Sequence, residues 1–256
     1  INGKINWVKE FDNIIKTPLK VFNDSIILLT SNEIISIDPD TGDKYWNFKY
    51  DGEKLLNSKG GDIVSMNHLL FYILPNSKIG EINVIFGELN ESIFSNINTI
   101  NSFNQNSNKL HTYENYLSIF EKNKFLSTID IKNNSFRLEK KEIINTNSFK
   151  FYNNVLFTLN NDKLLKAYNI INSNLFWETN LADYLKKNVK IVNIIKSPNN
   201  NINIFFNNGL ILNINPQNGE IIFDHNLKIK NILKISFFGD YIIFDHNNGH
   251  ITIYKQ

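Results

Sequence analysis

One pattern recurs six times along the sequence: a short apolar run, a polar tip and a second apolar run. The copies lie at residues 26–37, 69–82, 116–129, 155–168, 202–214 and 241–254. In each copy, β-branched and aromatic residues flank residues that favour tight turns, so each copy predicts a β-hairpin. The tips recur about every 39 to 46 residues, which is a period typical of architectures built from repeated four-stranded units.

A second signal follows the tips by roughly 10 to 12 residues. In its best copy Asp38 is followed by Thr41 and Gly42, and Trp46 stands four residues after the glycine. The other copies are Gly3 with Trp7, Asn83 with Gly87, the eroded Asp130 with Asn134 and Leu138, Asn169 with Ser173 and Trp177, and Asn215 with Gly219 and Phe223. An Asp or Asn side chain caps a turn, Gly supplies a left-handed residue, and a large ring anchors the next strand against its neighbour.

The two signals together predict an all-β fold, a β-propeller of four-stranded antiparallel blades with about six visible repeats. Asn is abundant and Ala is scarce, which disfavours helix; one short helical turn is predicted within residues 180–189. The distance from Asn247 through the C-terminus and on to Gly3 matches the other repeats. This spacing is expected if the first residues complete the last blade, and equally if the array was cut in phase from a longer protein. Residues 1–256 are predicted to form a single propeller domain, and the count of six blades describes only the part of the ring that is present.

Charge and composition exclude several classes of function. Lys+Arg 27 against Asp+Glu 25 gives a net charge of +2, which is too small for a dedicated nucleic-acid binder. The absence of cysteine excludes disulfides, thiolate metal sites and a cysteine nucleophile. The chain has no apolar run of membrane-spanning length, so no transmembrane span is expected.

Few residues suggest catalysis. The dipeptide Asp-His occurs twice, as Asp224-His225 and Asp245-His246, and in each copy the carboxylate could orient the imidazole. Neighbouring residues on a strand point to opposite faces, however, so we interpret both pairs as turn or strand residues. His246 and His250 are four residues apart but flank a turn instead of sharing a helix face. We therefore predict no catalytic, cofactor-binding or metal-binding residue.

The stretch from Ser36 to Trp46 resembles the docking motif of the PQQ-like, quinoprotein-type propeller repeats, in which an Ala, an Asp, a Thr-Gly pair and a Trp recur at fixed spacing. Here Ser36 takes the Ala place. The resemblance covers nearly the whole chain, but other copies depart from the motif. The departures are Ser173 and Asn134 at the Gly place, and Phe223, Leu138 and Glu91 at the Trp place. They imply weaker docking in the middle blades.

Within this family the chain is most similar to BamB-like outer-membrane protein assembly factors, which are eight-bladed periplasmic lipoproteins. Because that ring is larger than six blades, the resemblance implies that the chain lacks N-terminal blades. The resemblance implies a non-catalytic scaffold without a cofactor, associated with the outer membrane and with a possible lipid anchor upstream. Its expected partners are the β-barrel assembly machinery or client barrel segments, which could add to a free strand edge. The residues expected to dock one blade on the next are Gly3, Trp7, Asp38, Thr41, Gly42, Trp46, Asn169, Trp177, Gly219 and Phe223.

Two alternatives remain open at this point. The chain could be a fragment or degenerate relative of a PQQ-dependent quinoprotein dehydrogenase, for which the resemblance implies adjacent cysteines and a calcium site of Asp, Glu and Asn. Cysteine is absent, and no calcium cluster stands out in the sequence. The chain could also be a propeller of unrelated lineage.

Overall fold

A computed structural model describes residues 4–22, 24–50, 61–74, 79–89, 109–121, 125–132, 141–143, 146–186 and 188–255. Within these ranges every regular element is a β-strand. The chain divides into two compact units, Ile1–Lys140 and Lys141–Gln256. The predicted all-β fold is confirmed.

The described residues of the first unit form ten strands. They are β1 (Lys20–Phe22), β2 (Ser25–Leu29), β3 (Glu33–Ile37), β4 (Lys44–Lys49), β5 (Asp62–Met66), β6 (Leu69–Ile73), β7 (Ile79–Asn83), β8 (Lys109–Tyr113), β9 (Tyr116–Glu121) and β10 (Phe125–Asp130). They form antiparallel sheets in chain order, with β1-β2-β3-β4 as one sheet, β5-β6-β7 as the next, and β9 between β8 and β10 in the third.

The second unit begins with the two-residue strand β11 (Lys141–Glu142). Its other strands are β12 (Thr146–Tyr152), β13 (Val155–Asn160), β14 (Leu164–Asn169), β15 (Leu175–Asn180), β16 (Ile191–Lys196), β17 (Ile202–Phe206), β18 (Leu210–Ile214), β19 (Ile221–Asn226), β20 (Ile232–Phe238), β21 (Tyr241–His246) and β22 (Ile251–Lys255). The sheets are again in chain order: β12-β13-β14-β15, β16-β17-β18-β19 and β20-β21-β22.

All six predicted hairpins are present, as the antiparallel pairs β2–β3, β6–β7, β9–β10, β13–β14, β17–β18 and β21–β22. The tips at residues 75–78 and 122–124 lie outside the described residues. The predicted helical turn is also present, since Leu185 N–H donates to the Leu181 carbonyl at 2.9 Å and the Asn180 side chain accepts from Ala182 N–H at 2.9 Å.

The core of each unit lies between consecutive sheets. In the first unit Ile27, Leu29 and Ile34 of the first sheet pack with Ile63 and Ile82 of the second, and all five are fully buried. In the second unit an equivalent cluster joins β12–β15 to β16–β19. Residues on alternate positions of a strand share a face, so these apolar faces close against each other and exclude water.

Candidate functional site

Three tryptophan side chains make the same polar contact with a turn. Trp7 donates its indole N–H to the carbonyl of Pro39, Trp46 donates to Val84, and Trp177 donates to Pro216. All three distances are 2.8 Å. In each case the acceptor directly follows the Asp or Asn that begins the turn, so one hydrogen bond is repeated at equivalent positions of the repeat.

Each of these rings also lies on a glycine, and we name the combined arrangement the ring-on-glycine contact. Gly42, Gly87 and Gly219 have φ angles of +77°, +71° and +76°. A β-carbon at these positions would lie 2.8, 2.6 and 2.5 Å from the rings of Trp7, Trp46 and Trp177. The turn therefore requires glycine twice, for its left-handed backbone and for the approach of the ring.

The Asp or Asn that begins each turn organises it through its side chain. Asp38 Oδ1 accepts the N–H groups of Asp40 at 2.7 Å and Thr41 at 3.1 Å. The Tyr45 hydroxyl donates to Asp38 Oδ2 at 2.8 Å. These bonds favour the ionised carboxylate, Tyr45 most strongly, and so lower the pKa of Asp38. Thr41 Oγ1 accepts from Asp43 N–H at 3.2 Å, which continues the turn.

The other turns use asparagine in the same way. Asn83 Oδ1 accepts from Ile85 N–H at 2.9 Å, Asn169 from Ile171 at 2.7 Å and Asn215 from Gln217 at 3.0 Å. The Gly place of the Asn169 turn is filled by Ser173, which is buried and has a φ of +57°. A non-glycine residue there takes the strained left-handed conformation.

The rings occupy one register position in their sheets. Ser36 lies opposite Trp46, Ala167 opposite Trp177 and Asn213 opposite Phe223, and each pair precedes a β-bulge. The three opposing residues are at most 1% exposed. Phe223 is 53% exposed and, among the described residues, lies on no glycine turn. Gly3 and Glu91 fall outside the described residues.

The sequence predicted the turn, the ring and the docking of one blade on the next, but it did not say which turn each ring contacts. The structure places each ring on the glycine of the following turn in the chain. The regular spacing of rings and glycines indicated that the two belong to one repeated contact. Spacing alone does not identify the turn that a given ring contacts.

Two adjoining clefts in the second unit form a surface that the sequence did not reveal. The first, of about 230 Å³, is lined by Asn147, Leu159, Asn160, Asn161, Lys163, Leu185, Lys186, Asn188 and Val189. The second, of about 340 Å³, is lined by Lys186, Asn188, Val189, Asn207, Asn208, Asn226, Lys230 and Asn231. We call the two together the amide clefts. Among the described residues, no acidic side chain lines either of them.

Three amide oxygens in these clefts already accept backbone N–H groups. Asn207 Oδ1 accepts from Lys190 N–H at 2.9 Å, Asn208 Oδ1 from Leu210 at 3.2 Å and Asn226 Oδ1 from Lys228 at 2.8 Å. Because a backbone N–H can only donate, these bonds fix the side-chain orientation and leave each NH₂ group as a donor. Within the described part of the chain those three NH₂ groups have no acceptor.

The histidine of the second Asp-His pair, His246, has a structural role. His246 Nδ1 lies 2.8 Å from the Lys230 carbonyl, and Nε2 lies 2.9 Å from Thr252 Oγ1. A carbonyl can only accept, so Nδ1 carries a proton, while Nε2 and the threonine hydroxyl share the second hydrogen bond. Both ring nitrogens are thus held by the protein's own backbone and side chains.

Among the described residues, no group of three His, Asp or Glu side chains could hold a metal ion. No helix in those same ranges is long and apolar enough to span a bilayer.

No protein-family model matches the sequence, and no curated protein matches it. The structure is similar to BamB from Moraxella catarrhalis, with a TM-score of 0.63 and 15% identity over 98% of this chain and 73% of that chain. It is similar to Sqt1 from Saccharomyces cerevisiae, with a TM-score of 0.63 and 12% identity over 97% and 73%. A chain of the mitotic checkpoint complex aligns with a TM-score of 0.65 and 11% identity over 93% and 73%.

The fold is a β-propeller. Each antiparallel sheet is one blade of this propeller, and the ring-on-glycine contacts of Trp46 and Trp177 each join consecutive blades within a unit. At sequence identities of 11 to 15%, these similarities show the fold and no other property of the chain.

Proposed function

We propose that this propeller is a non-catalytic scaffold for protein–protein interaction, BamB-like in role, that assists assembly of outer-membrane β-barrel proteins. It would act in the periplasm at the outer membrane, held by a lipid anchor upstream of these residues. We further propose that residues 1–256 belong to one propeller domain and that nine of the ten motif residues dock its blades, the exposed Phe223 being the exception. The observation that carries the interaction role is the donor-rich surface of the amide clefts.

The chemistry of the amide clefts fits an extended, acceptor-rich polypeptide. Asn207, Asn208 and Asn226 present NH₂ groups, and Lys186 and Lys230 present exposed ammonium groups. These NH₂ and ammonium groups can donate to peptide carbonyl and carboxylate oxygens and cannot accept from peptide N–H groups. A client strand with acidic residues satisfies them, whereas a lysine-rich strand meets like charge.

The sheets below the clefts give this surface a fixed geometry. Trp177 ties its blade to the next through the Pro216 carbonyl, and Thr179 Oγ1 donates to the Gly219 carbonyl at 2.7 Å. Loops held by rigid sheets lose little conformational entropy on binding, which favours recognition over a mobile surface.

The binding test uses an unfolded outer-membrane β-barrel protein that carries a fluorescent label. We expect its anisotropy to rise when the full chain is added, and the rise to weaken with salt. Lys186→Glu with Lys230→Glu should lower the affinity by about tenfold or more, since two donors are replaced by like charges for an acidic client. The matched control, Lys44→Glu with Lys49→Glu, changes two exposed lysines of the first unit and should bind as the wild type does. Equal loss in both variants, or no binding by the wild type, would contradict the proposed role.

A second assay separates the scaffold from a dehydrogenase. The chain is titrated with PQQ and Ca²⁺, and dye reduction is followed with alcohol and sugar substrates. We expect no turnover, and measurable turnover would overturn the non-catalytic role.

A further inference from the structure

The loop between β19 and β20, residues 227–231, forms part of the second amide cleft, and we call it the cleft loop. Lys230 and Asn231 line that cleft, and both are exposed. Lys228 and Asn231 have φ angles of +57° and +59°. Residues other than glycine rarely adopt this left-handed conformation, and it persists where surrounding contacts impose it. The cleft loop therefore needs fixed points of attachment.

Hydrogen bonds from the two neighbouring hairpins hold both ends of the cleft loop. Leu227 N–H donates to the Gly209 carbonyl at 3.0 Å, and Asn247 N–H donates to the Asn231 carbonyl at 3.0 Å. Gly209 also lets the loop approach closely, since a β-carbon on it would lie 2.4 Å from the Ile229 carbonyl oxygen. The loop is thus fixed between the tips of the hairpins β17–β18 and β21–β22.

The imidazole of His246 binds the cleft loop at the residue that carries one of the ammonium groups of the second cleft. Its Nδ1–H donates to the Lys230 carbonyl at 2.8 Å, and its Nε2 lies 2.9 Å from Thr252 Oγ1 of β22. The ring is therefore oriented by the strand on one side and contacts the loop on the other. A bond to the Lys230 carbonyl fixes the backbone from which the Lys230 side chain extends.

The equivalent position of the preceding blade is apolar. Gly249 N–H donates to the His246 carbonyl as Gly209 N–H donates to the Phe206 carbonyl, so His246 and Phe206 occupy the same place in their hairpins. Phe206 is fully buried in the core of the second unit, and its side chain has no polar atom that could hold a loop. The histidine thus replaces a core residue of the repeat, and its bond to the cleft loop accounts for the replacement.

We propose that His246 is a positioning residue for the amide clefts: its Nδ1–H bond fixes the cleft loop so that Lys230 and Asn231 are held in place to meet an acidic client. His246 has this role only if the clefts bind clients as proposed. A loop that is already held in its binding conformation loses less conformational entropy when the client docks. The bond therefore raises the affinity although His246 does not contact the client.

Two amide substitutions separate the Nδ1–H bond from the rest of the ring. In His246→Asn the NH₂ group is bonded to Cγ, as Nδ1 is, so it can still donate to the Lys230 carbonyl. In His246→Gln the amide lies one bond further out, near the place of Nε2, and reaches Thr252 instead. The binding probe is a fluorescent oligoglutamate peptide, followed by anisotropy. His246→Gln and His246→Ala should lower its affinity about fivefold, and His246→Asn less than about twofold.

The matched control is His225→Ala, which removes the histidine of the first Asp-His pair. His225 is exposed on β19, and within the described ranges its ring has no hydrogen-bond partner, so this variant should bind as the wild type does. Hydrogen exchange without peptide gives a second readout. The N–H groups of Leu227 and Asn247, which hold the cleft loop, should exchange faster in His246→Gln than in His246→Asn. Unchanged exchange in the buried strand β17 shows that both variants are folded.

The outcomes distinguish this role from the proposed function. Equal affinity of the wild type, His246→Gln and His246→Ala for oligoglutamate would overturn the positioning role, and so would an asparagine variant that behaves like the glutamine variant. If oligoglutamate binds with the expected dependence on His246 but the unfolded barrel protein does not bind, the positioning role stands and the barrel-assembly role fails. A wild type that binds neither ligand overturns both.

Discussion

The ring of Trp177 covers Gly219 so closely that a β-carbon on this glycine would lie 2.5 Å from ring atom Cε3. The glycine has a φ of +76°, and its carbonyl accepts the Thr179 hydroxyl. Trp177 and Thr179 of one strand therefore both contact Gly219 in the turn of the next blade. A side chain at this position would clash with both of them.

We expect Gly219→Ala to lower the free energy of unfolding by about 2 to 4 kcal/mol, because left-handed strain adds to the displacement of the ring. Gly249→Ala is the matched control, since Gly249 has a φ of +79° but a β-carbon on it would meet no described atom within 4 Å. It should cost only about 1 to 2 kcal/mol. Equal losses in urea denaturation would show that the ring contact adds nothing to the turn.

Trp177→Ala and Phe223→Ala change rings at the same register position of neighbouring blades. Trp177 is 6% exposed, and its removal should cost about 3 to 5 kcal/mol. Phe223 is 53% exposed, and its removal should cost less than about 1 kcal/mol. The two unfolding curves check this difference directly, and a large loss in the Phe223 variant would contradict the exposed position of that ring.

Ser36→Ala should stabilise the protein. The Ser36 hydroxyl is fully buried and has no hydrogen-bond partner among the described residues. Ala167 occupies the equivalent position opposite Trp177, so the smaller side chain fits this packing. Removing an unsatisfied buried hydroxyl should raise the free energy of unfolding by about 1 kcal/mol. A destabilised variant in the same denaturation assay would indicate that the hydroxyl has a partner.

The stability of the first unit should fall at high pH through Tyr72. Burial raises the pKa of Tyr72 from 10.0 to about 12. Below pH 10 the phenol is neutral in both states, but between pH 10 and 12 only the unfolded state ionises, so folding loses up to about 2 to 3 kcal/mol. The slope of stability against pH in this window should be smaller in Tyr72→Phe, and an unchanged slope would assign the loss to other groups.

Much of the fold was accessible from sequence because its signals are local. The hairpin at Asn207-Asn208-Gly209 joins two short apolar strands, and turn chemistry with β-branched flanks is enough to predict it. The turn at Asp38 was predictable for the same reason, since Asp38 caps residues only two and three positions away.

The remaining features depend on residues far apart in the chain. Trp46 contacts Val84, 38 residues away, and no local pattern identifies that carbonyl. Phe223 shares the spacing of Trp177, yet its exposure depends on what lies beside its blade. The amide clefts were missed because abundant Asn was interpreted as composition. In the folded chain, Asn208 is oriented by its own turn and Asn207 by the N–H of Lys190, which lies 17 residues away.

The indole N–H groups give the most direct measurement of the central claim, that each ring is hydrogen-bonded to the turn of the following repeat. The chain has three tryptophans, so nitrogen-15 NMR gives three indole cross-peaks. All three should exchange with solvent more slowly than free indole. Gly42→Ala, Gly87→Ala and Gly219→Ala should each remove the protection of one ring: Trp7, Trp46 and Trp177 respectively. Indoles that exchange at the free rate, or protection that does not follow these pairs, would contradict the account.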